Sequence, residues 1–127
     1  MIAVDTNVVV RLLTNDDPDQ AARAAGLFER EAVFLPKTVL LETEWVLRFS
    51  YEIPQPVVLA AFRKLLGLPQ VAAEDATAIA RALELYEGGM DFADALHLAS
   101  ARDATAFATF DTRLAKRAGR ESRVRVL

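Results

Sequence analysis

Cysteine is missing altogether from this 127-residue chain. Its absence excludes disulfide frameworks, zinc–thiolate sites and a nucleophilic thiol. Histidine occurs once, at His97, so a histidine-rich zinc site is excluded too. No apolar run approaches the roughly 18–20 residues of a membrane span. The opening Met1-Ile2-Ala3-Val4-Asp5 lacks the basic region of a signal peptide. Phosphate-binding loops, Gly-x-Gly-x-x-Gly and the Gly-x-Ser-x-Gly elbow are all missing. The expectation is one cytoplasmic globular domain over residues 1–127, with no membrane association.

What remains is apolar and mildly acidic. Hydrophobic residues make up 53% of the chain, a surplus that predicts cover from a partner or a second copy. A net charge of −3 argues against a non-specific nucleic-acid coat but not against a nuclease, because local charge decides. The C-terminal stretch concentrates Arg113, Lys116, Arg117, Arg120, Arg123 and Arg125. It reads either as a solvated helix face and tail or as a phosphate-contacting flank.

Periodicity predicts a strand over Ile2–Val4, then helices over residues 8–13 and 19–30 separated by the break at Asn15-Asp16-Asp17-Pro18. A second strand, Ala32–Leu35, stops at Pro36. Thr38 is placed to cap a helix running to about Ser50. Pro54 and Pro56 open the next helix, ending near Gly67. A weak strand at Gln70–Ala73 precedes a helix from Glu74 to Tyr86, closed by Gly88-Gly89. Another helix runs from Asp91 to about Ala104. Strand Ala106–Thr109, a helix from Asp111 to Gly119 and strand Arg123–Leu127 complete the order β-α-α-β-α-α-β-α-α-β-α-β. Strands separated by helices imply a parallel sheet covered on both faces.

Four acids stand at the edges of these apolar segments: Asp5, Glu42, Asp94 and Asp111. Asp5 follows the first strand, expected to be central. It reads equally as an N-cap or as a metal ligand at the strand's carboxyl end, where parallel sheets place their ligands. Asp111, where strand Ala106–Thr109 hands over to a helix, carries the same two readings. Glu42 has Thr38, Val39, Trp45 and Val46 as helical neighbours and no basic residue three or four positions away, so it leans over an apolar face without a partner. Glu44, by contrast, has Arg48 at i+4. Asp91 is well explained as an N-cap. Asp94, in the first turn, suits the helix dipole and is also kept ionised by it for a metal. His97 reads as a surface or half-buried packing residue, and Trp45 as core rather than as a base-stacking platform.

Clustered carboxylates, with no sulfur ligand, point to Mg²⁺, which Mn²⁺ can replace, and to phosphodiester hydrolysis by activated water. Asp5, Glu42 and Asp94 are expected to hold a first ion and Asp111 a second, or to orient water. Thr6, Asn7 and Thr109 are placed to steady the carboxylates as donors.

Val4-Asp5-Thr6-Asn7-Val8, Leu41-Glu42-Thr43-Glu44-Trp45-Val46-Leu47, Asp91-Phe92-Ala93-Asp94-Ala95-Leu96-His97 and Ala108-Thr109-Phe110-Asp111 together resemble PIN-domain ribonucleases, and among them VapC-type toxins of type II toxin–antitoxin pairs. The resemblance implies a PIN-like three-layer α/β/α fold with a mostly parallel sheet of about five short strands. It implies a Mg²⁺-dependent endoribonuclease acting on RNA, neutralised by a cognate antitoxin and commonly a homodimer. By motif position the family's acidic quartet falls on Asp5, Glu42, Asp94 and Asp111, with Asp111 the least uniform and Asp91 nearby to assist. Arg11, Arg48, Arg113 and Lys116 are the expected phosphate contacts.

Two other classes compete. A haloacid-dehalogenase-like phosphohydrolase also begins with a strand ending in aspartate, but it needs an acid where Asn7 stands and a late lysine that is lacking. A receiver-like module needs an aspartate after the third strand, which Gln70-Val71-Ala72-Ala73 does not supply. An inert PIN-like binding module is the remaining alternative.

Overall fold

In the computed structural model, residues 1–119 and 123–127 are described. The chain divides into two compact units, Met1–Asp75 and Ala76–Leu127. Arg120 of the basic C-terminal stretch lies outside the described residues.

The first unit opens with strand β1 (Ile2–Ala3), helix α1 (Thr6–Leu13), helix α2 (Pro18–Arg30) and strand β2 (Val33–Leu35). Helix α3 (Lys37–Trp45) passes into a π-helical turn, Val46–Ser50, and helix α4 (Gln55–Leu66) and strand β3 (Val71–Ala73) follow. The three strands form a parallel ladder in the order β1-β2-β3. Val33 and Leu35 of β2 are wholly buried, as expected of a strand with neighbours on both sides. Within this ladder β2 therefore holds the central place expected of β1. Val9 and Val10 anchor α1, and Phe28 anchors α2. Pro18 sits in the first turn of α2, where its missing N–H costs nothing, and Asp17 caps that helix by accepting the Gln20 N–H.

The second unit contains helices α5 (Ala76–Glu87) and α6 (Phe92–Ser100), strand β4 (Phe107–Thr109), helix α7 (Thr112–Ala118) and strand β5 (Val124–Val126). Strands β4 and β5 pair in parallel. Small residues, Ala78, Ala82, Ala95 and Ala99, let α5 and α6 approach closely, and Tyr86 meets Phe92 edge-on at 5.1 Å. Gly89, at φ +103°, makes the turn between the two helices. Its carbonyl accepts a 2.6 Å hydrogen bond from Arg117 of α7.

The element order is the expected one, and all three strand pairings are parallel. Several local assignments differ for tertiary reasons. Thr38 does not cap α3. The helix begins two residues after Leu35 at Lys37, behind Pro36, and its first N–H is satisfied by the Glu74 carboxylate 37 residues later, at 2.9 Å. Lys37 also pairs with Asp75 at 3.3 Å. Glu74 and Asp75 are thereby drawn away from the helix they were expected to open, and α5 starts at Ala76. Helix α6 stops at Ser100, four residues early, in tight turns closed by Leu98 and Ala101 carbonyls. Among the described residues no helix is long and apolar enough to cross a membrane.

Candidate active site

In the first unit the site begins where β1 ends. Val4 is buried and the chain then turns outward, so Asp5 stands exposed as the N-cap of α1. Its Oδ1 accepts the Val8 N–H at 3.1 Å. This is the capping role, and it fixes the carboxylate at the strand's carboxyl end without consuming its second oxygen. Thr6, buried beside it, donates its hydroxyl to Oε1 of Glu42 at 2.5 Å. A hydroxyl adjacent to Asp5 therefore holds a carboxylate from α3, 36 residues away in sequence.

Glu42 departs from expectation in one respect. It is exposed rather than laid over an apolar surface, because its neighbours Thr38 and Trp45 are exposed too. Trp45 is no core residue: it is 57% exposed and stacks on Phe49, itself 63% exposed. The inward face of this helix is carried instead by Leu40, Thr43, Glu44 and Leu47. Glu44 makes the anticipated pair with Arg48, at 3.5 Å, but from a buried position.

Beside Asp5, a groove of about 340 Å³ runs between α1 and α2, with Asn7, Arg11, Gln20 and Arg23 in its walls. Arg11 is occupied there. Both Asp16 oxygens accept from it, at 3.0 and 3.1 Å, and Gln20 and Tyr51 bind it as well. The periodicity of α1 and α2 gave no sign of this network, because its members are polar residues on three separate segments.

In the second unit the acids gather at helix N-termini. Asp91 caps α6, its Oδ2 accepting the Asp94 N–H at 3.3 Å. Asp111 caps α7 through Oδ1, which accepts from Arg113 and Leu114 at 2.9 and 3.1 Å. Thr109 acts on the backbone, its hydroxyl oxygen accepting the Asp111 N–H at 2.9 Å. Asp94 is half-buried, and its carboxyl is pushed above the ordinary carboxylate range. Burial is the largest cause, followed by the negative charges of Asp91 and Asp111, with exposed His97 pulling the other way. Arg113 and Lys116 stand exposed on α7.

The donors in both units are hard oxygens, the kind Mg²⁺ and Mn²⁺ accept. Among the described residues no three His, Asp or Glu side chains are gathered tightly enough to hold an ion alone. Mg²⁺, however, is commonly bound by one or two carboxylates, with water and substrate phosphate completing its shell. Asp5 with Glu42, and Asp94 with its acidic neighbours, fit that demand.

The model of the PIN domain family matches residues 2–120. The chain belongs to the PIN-domain family. That match extends over both compact units, and all four acids lie inside it. A solved structure of Mycobacterium tuberculosis VapC20, described as a toxin cleaving the sarcin–ricin loop, is 22% identical to this PIN domain. The similarity covers 91% of this chain and 94% of that one, with a TM-score of 0.46. No curated protein matches the sequence.

Proposed function

We propose that this PIN domain is a metal-dependent endoribonuclease and the toxic member of a type II toxin–antitoxin module. The observation that carries the reading is the Thr6–Glu42 hydrogen bond, which draws a distant carboxylate to the residue next to Asp5. The bond satisfies the buried Thr6 hydroxyl and fixes an exposed carboxylate from a distant segment on the residue that follows Asp5 in the chain.

In this reading Asp5, Glu42, Asp94 and Asp111 would be the acids that serve Mg²⁺, with Asp91 assisting. The ion, when bound, supplies Lewis acidity at the scissile phosphate and makes water a competent nucleophile near neutral pH. The chain's own residues do the positioning. Val8 fixes Asp5, Thr6 aims Glu42, and the Asp94 N–H ties Asp91 in place. Burial and the charges of Asp91 and Asp111 raise the affinity of Asp94 for a proton, a strain that a nearby positive charge would relieve. Hydrolysis with retention of the 3′ oxygen on the leaving strand gives 5′-phosphate and 3′-hydroxyl ends. Arg48, Arg113 and Lys116 are the cationic side chains offered to RNA phosphates, with Arg11 tethered by Asp16. A cognate antitoxin is the expected inhibitor and a homodimer the expected assembly.

Expression of the chain alone tests the reading. Growth arrest, together with Mg²⁺-dependent RNA cleavage by the purified protein, is expected for the wild type and not for Asp5→Asn. Equal growth of both strains with no cleavage by either protein overturns it.

A further inference from the structure

Two large aromatic rings lie open to solvent on the helix that carries Glu42. Trp45 and Phe49 stack with ring centres 5.4 Å apart and planes tilted by 40°. The Arg48 guanidinium lies 5.8 Å from the Phe49 ring centre and pairs with Glu44 at 3.5 Å. Buried Leu47 anchors the opposite face of the same turn. Glu42, Trp45 and Phe49 follow at intervals of three and four residues, the spacing that lines one helix face. The π-helical turn, closed by the Tyr51 N–H on the Val46 carbonyl, lies under the second interval. Irregular turns of this kind are concentrated at functional sites. At about 1.5 Å per residue, Phe49 stands roughly 10 Å along the axis from Glu42.

We propose that Trp45 and Phe49 form a stacking platform for one or two unpaired bases of the RNA substrate, with Arg48 at its edge; this rests on the ribonuclease reading. Three observations favour RNA over a protein partner. The first is size. Rings of about 150–250 Å² each, somewhat over half exposed, offer roughly 200–300 Å² in all. A specific protein interface needs about 800 Å² from each side, whereas a base needs only a ring face. The second is chemistry. Paired aromatics with an arginine are what single-stranded nucleic acid uses, since every base has a π-face and every nucleotide a phosphate. The third is position. The platform shares a helix face with Glu42, so a base seated there directs its strand along the helix toward that acid.

Trp45 is the only tryptophan in the chain, so its fluorescence reports the platform without interference. Metal-free protein titrated with short oligoadenylate is expected to show quenching that saturates. Trp45→Ala and Phe49→Ala each weaken binding and raise KM by about 5–150-fold, with kcat little changed. Trp45→Phe retains most of the affinity, which separates stacking from a folding defect. Unchanged KM in both alanine variants while the wild type cleaves RNA overturns the platform and leaves the ribonuclease reading standing. A wild type that neither binds nor cleaves RNA overturns the ribonuclease reading, and the platform with it. Loss of a dimer in Trp45→Ala with RNA affinity intact assigns the rings to a protein interface and also overturns the proposal.

Discussion

Two carboxylates, one in each unit, are pushed in opposite directions. In the first unit Asp16 is held below the usual carboxylate range. The Tyr51 hydroxyl, at 2.6 Å, contributes most; burial opposes it, and Thr14 and Arg11 add to it. In the second unit Asp94 is raised by burial and by two acidic neighbours. Asp16 is surrounded by donors, so its charge helps tie α1 and α2 to the segment after α3. Asp94 is surrounded by acids, so its charge opposes the fold. Asp16 is given donors, whereas Asp94, proposed above as a metal ligand, is left short of positive charge.

The largest expected effect tests the functional half of that contrast. Asp94→Asn and Asp5→Asn each lower RNA cleavage by more than about 100-fold, beyond the 10–100-fold typical of residues that only orient ligands. Steady-state assays on purified variants, with circular dichroism to verify folding, check this. Thr6→Val comes next. It removes the donor to Glu42, and a loss of about 10–100-fold in activity or Mn²⁺ affinity is expected. Thr6→Ser restores most of it, and calorimetric Mn²⁺ titration separates binding from turnover.

Opposite pH signatures follow for stability. Asp94 binds its proton more tightly when folded. Its favourable contribution is therefore complete below the unfolded pKa of about 3.9 and is lost as pH rises through the raised folded value. In metal-free protein Asp94→Asn thus raises Tm near neutral pH, and the gain vanishes in acid. Asp16 behaves inversely. Its contribution is present above the unfolded pKa and is lost as pH falls through the lowered folded value, so Asp16→Asn lowers Tm at neutral pH and not in strong acid. Melting curves across pH that moved both variants in the same direction would break the comparison. The smallest effect lies in the core of α3. The Thr43 hydroxyl is wholly buried and has no hydrogen-bond partner. Thr43→Val is expected to stabilise by up to about 1 kcal/mol in a denaturant titration.

Much of this was legible in the chain. The strand-to-helix junctions at Asp5 and Asp111 announced both the element boundaries and the caps, because an acid after a short apolar run satisfies the first free N–H groups of a helix. Asp91 as the cap of α6 and Glu44 paired with Arg48 were equally readable, since each depends on residues within four positions. Four short motifs also resembled the PIN family, to which the chain belongs. Illegible were the contacts made across long separations. Glu74 capping α3, Thr6 holding Glu42 and Tyr51 binding Asp16 join residues 35–37 positions apart. Trp45 was misplaced in the core because composition says that a lone tryptophan is worth burying, not which side of its helix faces the protein.

By itself the sequence determined the order of strands and helices, the capping acids and the hard-oxygen character of the candidate site, because periodicity and caps act within a few residues. Tertiary structure alone decided which acids receive donors and which are crowded by other acids, and which face of α3 stays wet. Those outcomes depend on which surfaces meet when the chain closes, and no local pattern encodes that meeting.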